Sequence, residues 1–187
     1  MNKLNRRQFI CSAALILSTP GSSLALWSSD EKKGILPGPD NIRGKIFKGD
    51  APDKPGKWSK EGFLYTKLSN KNVICGICPH RCQLSPGDRS VCRSKVNIDG
   101  TLYSLSYGNP CTVNVDPIEK KPLFHFKPRT KSFSLAAAGC NFRCLNCQNW
   151  EISQAKPGEV RHSELFPEDV VREALKNGSD SIAYTYS

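Results

Sequence analysis

The sequence has no apolar run long enough to cross a membrane. The run from Phe9 to Leu17 is too short to span a bilayer, and it is soon interrupted by Pro20 and Gly21. A membrane span in the mature protein is therefore not expected.

The chain also lacks a basic helix face and the alternation of basic and aromatic residues that is typical of nucleic-acid-binding proteins. Its formal net charge is +10, but the positive residues are scattered, and Lys3, Arg6 and Arg7 lie in the N-terminal segment. We therefore expect a solvated basic surface and no nucleic acid as partner.

The N-terminal segment has the features of an export signal. Paired arginines followed by Phe9 and Ile10 are typical of a twin-arginine signal, and Ser23-Leu24-Ala25 provides a cleavage site of small residues. We interpret residues 1–27 as this signal, which predicts a periplasmic or otherwise extracytoplasmic protein. The alternative is a basic tail on a cytoplasmic protein. The twin-arginine route carries folded proteins, which suits a protein whose cofactor is inserted before export.

The next part of the chain divides into a linker and a small module. Residues 28–61 are rich in lysine, glycine, proline and aspartate, and we interpret them as a linker. Residues 62–130 are predicted to form a β-rich module with four cysteines, in which Asp99-Gly100 is the turn of a tight hairpin. Because the module has few large apolar side chains, we expect a bound metal to stabilise it.

Residues 131–187 have the pattern of strand, loop, helix and strand. The first strand ends at Gly139, the helix begins at Pro167 and ends at Asn177-Gly178, and a second strand begins at Ser181. This order implies a βαβ unit with parallel strands. The predicted fold class is α/β, with the start of a partial TIM-type (β/α) barrel after the β-rich module. Since a whole barrel needs about 250 residues, we expect the sequence to be truncated after the second barrel strand.

Nine cysteines are more than an ordinary cytosolic domain contains, and an odd number cannot be fully paired within one chain. Seven of them lie in two compact clusters, as do metal ligands supplied by one loop. Cys11 would be lost with the signal, and we interpret Cys111 as a small buried residue.

One cluster comprises Cys140, Cys144 and Cys147, with the spacing C-x3-C-x2-C directly after a predicted strand. Three thiolates leave one iron of a [4Fe–4S] cluster open to the amino and carboxylate groups of S-adenosylmethionine. One electron passed to the sulfonium would split that molecule into methionine and a 5′-deoxyadenosyl radical, which is the chemistry of radical S-adenosylmethionine (radical SAM) enzymes. The alternatives are a zinc site completed by His125 or His162, and a ferredoxin-type cluster completed by a distant cysteine.

The other cluster has the spacing C-x2-C-x3-C-x9-C and comprises Cys75, Cys78, Cys82 and Cys92. Four thiolates can close a tetrahedral zinc site or saturate an auxiliary [4Fe–4S] cluster, and the spacing does not separate these two metals. Paired disulfides are the alternative in an exported protein. His80, within this cluster, is interpreted as a surface turn residue or an alternate ligand.

Four segments have a more specific pattern: 116–126 (DPIEKKPLFHF), 139–144 (GCNFRC), 147–154 (CQNWEISQ) and 183–187 (AYTYS). Together they resemble the AmmeMemoRadiSam-system radical SAM proteins, which are relatives of pyruvate formate-lyase activating enzyme. The resemblance implies a TIM-like barrel, S-adenosylmethionine as cofactor, and a flavodoxin- or ferredoxin-like electron donor.

The resemblance also implies where the cofactor lies. It places Phe142 and Asn146 beside S-adenosylmethionine, although radical SAM proteins usually have an aromatic or bulky apolar residue at the position of Asn146, where it contacts adenine. We interpret His125 as a hydrogen-bonded core histidine, and we expect Trp150 and Ile152 to pack the cysteine loop against the barrel.

Two functions agree with these patterns. The first is a radical SAM enzyme, similar to the enzymes that generate a glycyl radical on a partner protein, with a protein or small-molecule substrate that the sequence does not identify. The second is a non-catalytic iron–sulfur or zinc protein for electron transfer or assembly.

Overall fold

The structure is a computed structural model, and it describes residues 45–185. The predicted signal, with its cleavage site and Cys11, lies outside the described residues, as does the first part of the linker. In the part that is described, no helix has the length and apolar character needed to cross a membrane.

Nine strands and two α-helices are present in residues 45–185. The strands are β1 (Lys60–Glu61), β2 (Tyr65–Lys67), β3 (Val73–Cys75), β4 (Gln83–Leu84), β5 (Lys95–Ile98), β6 (Thr101–Ser104), β7 (Thr112–Pro117), β8 (Lys131–Ala136) and β9 (Ser181–Tyr184). The helices are α1 (Trp150–Ser153) and α2 (Pro167–Lys176), with short 3₁₀ helices at Ser69–Lys71 and Ile118–Lys120. These strands form three sheets of three strands each.

The first two sheets form the β-rich module. They have the orders β1-β6-β5 and β2-β3-β4, and all their pairs are antiparallel. The predicted hairpin is confirmed: β5 and β6 are joined by Asp99 and Gly100, whose φ angles are 49° and 88°. Positive φ at both turn residues suits the right-handed twist of the strands.

A buried amide joins the two sheets. The Asn97 side chain in β5 donates hydrogen bonds of 2.9 Å to the carbonyl oxygens of Lys71 and of Leu84 in β4. It also accepts one of 2.8 Å from the Gly100 amide. Because Asn97 is fully buried, losing these bonds would leave polar atoms without partners.

The core of this module is small. Its buried members are Val73, Cys75, Cys82, Leu84, Val91 and Leu102, with Ile46 and Tyr65 packed against them. Two of the predicted metal ligands therefore belong to the core, which places the predicted metal site against the apolar interior.

The third sheet contains the predicted βαβ unit. β8 and β9 are parallel, and α2 lies between them in the chain, as predicted. Val170 and Ala174 of α2 pack on Phe133 and Leu135 of β8. The sequence pattern predicts one apolar face from Val170, Val171, Ala174 and Leu175, but Val171 and Leu175 are exposed.

The prediction of a partial TIM-type barrel is wrong. The described residues form small, mostly antiparallel sheets with few helices, and none of these sheets is closed. The strands of a (β/α)8 barrel are all parallel, whereas β7 pairs antiparallel with β8 over six residue pairs. Since β9 occupies the other edge of β8, no edge of β8 is left for a further parallel strand.

An ion-pair cluster accounts for part of the 116–126 segment. Asp116, near the end of β7, is buried, and its carboxylate lies 2.8 Å from Lys120 Nζ and 2.7 Å from Lys121 Nζ. The 3₁₀ helix Ile118–Lys120 turns the chain so that these lysines lie beside Asp116. These contacts give the start of the 116–126 segment a structural role.

Candidate metal centre

The four cysteines of the β-rich module line one cavity of about 260 Å³. Cys75 ends β3, Cys78 and Cys82 lie in the loop before β4, and Cys92 precedes β5. The cavity therefore collects thiols from three places in the chain.

A tight turn brings Cys82 back beside Cys75. The Arg81 amide donates a hydrogen bond of 3.2 Å to the Cys78 carbonyl oxygen, and Arg81 has a φ of 43°. The Cys75 amide then donates a bond of 2.9 Å to the Cys82 carbonyl oxygen. The three-residue spacing between Cys78 and Cys82 thus provides the length of this turn.

The thiols influence one another's ionisation. Burial raises the pKa of Cys75 and of Cys82 above the ordinary value, and negative charge on neighbouring cysteines raises it further. Burial also opposes ionisation of Cys92, but hydrogen bonds with Ser90 (3.1 Å) and Ser94 (3.4 Å) outweigh it and lower the pKa of Cys92. The cavity therefore favours one thiolate, while a bound cation would be needed to favour several.

The second cysteine set reaches the same cavity through Cys140, which lines it together with Gly139 and Asn141. His80 Nε2 lies 2.7 Å from the Asn141 carbonyl oxygen, so this histidine joins the two loops. His80 also lines the cavity.

Cys144 and Cys147 lie farther along the loop. Cys144 is exposed, and Cys147 is partly buried with its Sγ atom 3.5 Å from Ser153 Oγ of α1. The predicted cofactor-binding residues Phe142 and Asn146 are both exposed. This part of the loop is accessible to a ligand.

The donor set fits a thiolate-bound metal. All eight cysteines of residues 45–185 are free thiols. Within the same residues, no group of three or more His, Cys, Asp or Glu side chains is arranged so that it could hold a metal ion. The four thiols that line one cavity are nevertheless of the donor type that zinc and iron–sulfur clusters take.

The remaining residues singled out in the sequence lie elsewhere. The interpretation of His125 as a core histidine is wrong, because it is exposed. His162 packs edge-on against Trp58 at 5.6 Å between ring centroids. Cys111 is partly buried, its Sγ atom lies 3.3 Å from the Ala136 carbonyl oxygen, and burial raises its pKa.

The Trp150 side chain does not hold the cysteine loop. Trp150 is 62% exposed, so the expectation that it packs the loop is wrong. The Gly139 amide instead donates a hydrogen bond of 2.9 Å to the Ile152 carbonyl oxygen. This bond connects the start of the loop to α1.

A basic cavity of about 790 Å³ was not predicted from the sequence. It is lined by Lys45, Ile46, Phe47, Lys48, Asp50, Arg93, Arg143, Gln154 and Lys156. Burial lowers the pKa of Arg93 below its ordinary value, and the charge of Arg143 lowers it further. The sequence contains no signal for this cavity, because its residues come from four separate segments.

Comparisons with known proteins identify relatives. The chain is 48% identical over 128 residues to the uncharacterized protein MJ0808 of Methanocaldococcus jannaschii, a match that covers 68% of this chain and 38% of that protein. It is 33% identical over 87 residues to the uncharacterized protein MJ0674 of the same organism, covering 45% of this chain and 21% of that protein. The chain thus spans 38% or less of the length of these curated relatives. No family model matches the chain, and no solved structure matches it significantly.

Proposed function

We propose that the chain carries the cluster-binding loop of a radical SAM enzyme, with a second thiolate metal centre beside it. The observation that supports this proposal is the position of Cys140. It opens a C-x3-C-x2-C loop shortly after β8, and it lines the cavity of the four-cysteine set.

In this proposal Cys140, Cys144 and Cys147 hold three irons of a [4Fe–4S] cluster. When bound, the cluster would transfer one electron to S-adenosylmethionine, which divides into methionine and a 5′-deoxyadenosyl radical. The exposure of Cys144, Phe142 and Asn146 leaves the outer side of the loop open to S-adenosylmethionine.

The four-cysteine set would hold zinc or an auxiliary iron–sulfur cluster. Its metal would stabilise a module whose apolar core is small. It would also support the loop, since His80 and Cys92 contact residues 139–141. We further propose a flavodoxin- or ferredoxin-like electron donor and export by the twin-arginine route.

A non-catalytic iron–sulfur or zinc protein is the second candidate. One observation favours it: the four cysteines that would saturate a metal converge more completely than the three that would leave an iron open. A saturated site supports folding or electron transfer but does not bind S-adenosylmethionine.

Anaerobic reconstitution with iron and sulfide tests the proposal. We expect Cys144→Ala to lose most of the iron of the loop cluster and its electron paramagnetic resonance signal, because each thiolate holds one iron. Cys111→Ala is the matched control and should retain both. Added S-adenosylmethionine should change the signal of the reduced cluster in the unsubstituted chain.

Two results would contradict the proposal. One is an unchanged cluster after replacement of all three loop cysteines by alanine. The other is a loop cluster whose signal does not respond to S-adenosylmethionine, which would favour the non-catalytic alternative.

A further inference from the structure

The basic cavity beside the cysteine loop has a large excess of positive charge. Its ionisable lining consists of one carboxylate, from Asp50, and five cations, from Lys45, Lys48, Arg93, Arg143 and Lys156. Desolvated charges of one sign repel each other unless a counter-charge is present.

The single carboxylate does not supply that counter-charge. Asp50 Oδ2 lies 3.0 Å from Arg89 Nε and 3.0 Å from Lys156 Nζ, so it is already shared by two cations. Glu159 Oε1 lies 3.6 Å from Lys156 Nζ, and the charge of Glu159 also acts on Arg93. Asp50 and Glu159 together balance only Arg89 and Lys156.

The other cations of the lining are not paired within the part of the chain that the structure describes. Among residues 45–185, no ion pair involves Lys45, Lys48 or Arg143. Together with Arg93, which is likewise in no ion pair within the described residues, they give four cations that line the same cavity. A ligand with several negative charges would complement them.

Arg93 provides a second, independent observation. Its Nη1 atom is buried and has no hydrogen-bond partner within residues 45–185. Its guanidinium lies over the ring of Phe47, another residue of the cavity lining, with Cζ 5.2 Å from the ring centroid. A buried donor without a partner is costly, so the described contacts leave the Arg93 guanidinium incompletely satisfied.

We propose that this cavity binds a small molecule with at least two negative charges, carried by phosphate or carboxylate groups. The guanidinium group of arginine can donate two parallel hydrogen bonds to the oxygens of either group. The volume lies within the range of about 300–1,000 Å³ usual for small-molecule sites. Ile46 and Phe47 add an apolar wall for the uncharged part of the ligand.

The position of the cavity gives the ligand a role. Arg143 lies between Cys140 and Cys144 in the chain, so the bound anion is adjacent to the cysteine loop. We assign the bound anion as the anionic end of a substrate, and this assignment rests on the proposed function. Binding of the anion does not depend on that function.

Isothermal titration of the reconstituted full chain, without S-adenosylmethionine, tests the proposal with pyrophosphate and citrate as separate probes. We expect saturable binding of at least one probe, and the preferred probe separates a phosphate site from a carboxylate site. Arg143→Gln and Arg93→Gln should each weaken binding about tenfold or more, since each removes a charge-assisted hydrogen bond. Arg93→Lys should retain part of the affinity.

Arg172→Gln is the matched control, because Arg172 is an exposed arginine of α2 that is paired with Asp169. It should bind the probes as the unsubstituted chain does. Arg143 is exposed, so its replacement is compatible with folding, which circular dichroism would verify.

Three results would overturn the proposal: no saturable binding of either probe, unchanged affinity in the Arg93→Gln/Arg143→Gln double variant, or tighter binding of a single-stranded oligonucleotide than of pyrophosphate at equal ionic strength. Iron content and the cluster signal are measured on the same sample. Loss of anion binding with an intact cluster is therefore distinguishable from failure of the proposed function.

Discussion

The carbonyl oxygen of Cys92 packs directly against Gly139, in the space that a Cβ atom on Gly139 would occupy. Gly139 has a φ of 91°, a conformation that residues with a side chain rarely adopt. The contact brings the segment of the β-rich module that contains Cys92 against the start of the cysteine loop. Both the close approach and the backbone conformation require glycine.

Gly139→Ala should therefore lower the free energy of unfolding by about 3 kcal/mol, through backbone strain and a clash with the Cys92 carbonyl. Gly158→Ala is the control, since Gly158 has a φ of 94° but nothing within 4 Å of the added Cβ. It should cost only the strain, about 1 kcal/mol. Urea unfolding of both variants measures the difference, and equal losses would show that the contact contributes nothing.

The buried ion pair of Asp116 leads to a second prediction. Asp116→Asn should lower the free energy of unfolding by about 3 kcal/mol, because the Lys121 ammonium, with only 9% of its side chain exposed, would lose the carboxylate that it contacts here. Asp99→Asn removes an exposed pair with Lys71 and should cost less than about 1 kcal/mol. Chemical unfolding at pH 7 tests this, and similar losses in the two variants would contradict it.

The four-cysteine set leads to a third prediction. Cys82→Ser should abolish metal binding at this set and lower the stability of the reconstituted chain by several kcal/mol, because a bound metal contributes its binding free energy to folding. Cys111→Ser should keep the metal, since Cys111 does not line the cavity. Metal analysis and thermal unfolding are the measurements. A metal-free chain of equal stability would show that the metal is not required.

A fourth prediction concerns pH. Burial opposes ionisation of Asp50, but the hydrogen bond and charge of Lys156 and the charge of Arg89 outweigh it, so its pKa is lowered from 3.8. The Asp50 carboxylate therefore binds a proton more readily in the unfolded chain than in the folded chain. The stability that Asp50 contributes is complete above pH 3.8 and is lost as pH falls through the folded-state pKa.

Asp50→Asn should remove this contribution, at most about 1 kcal/mol because the pair is partly exposed. The difference in unfolding free energy between the unsubstituted chain and the variant should be constant from pH 5 to 8 and should shrink toward pH 3. Urea unfolding across this range measures it, with Asp53→Asn as the control. A difference that does not change with pH would contradict the assignment.

The elements with local signals were predicted correctly. Asp99-Gly100 predicts its hairpin because the turn needs positive φ at two adjacent residues, a requirement contained within four residues. Pro167 and Asn177-Gly178 likewise mark the ends of α2, since the fixed φ of proline and the conformational freedom of glycine act locally. The parallel pairing of β8 and β9 follows from the order strand, helix and strand, because the connection through the helix returns the chain to the same end of the sheet.

Contacts between distant residues could not be predicted in this way. The spacing of the cysteines identifies two sets of candidate ligands, but not that Cys140 lines the cavity of the other set. No spacing relates Arg93 to Arg143, although they line the same cavity. The antiparallel pairing of β7 with β8 likewise depends on which strand reaches the free edge of β8.

The sequence by itself determined the turns, the ends of α2 and the two cysteine sets, because turn conformation, helix capping and ligand spacing depend on neighbouring residues. Only the tertiary structure decided that the sheet β7-β8-β9 is mixed, that the cysteine sets are adjacent, and that four cations in no ion pair within residues 45–185 line one cavity. The physical reason is that these features depend on which distant surfaces pack together, a balance of burial and pairing over the whole fold.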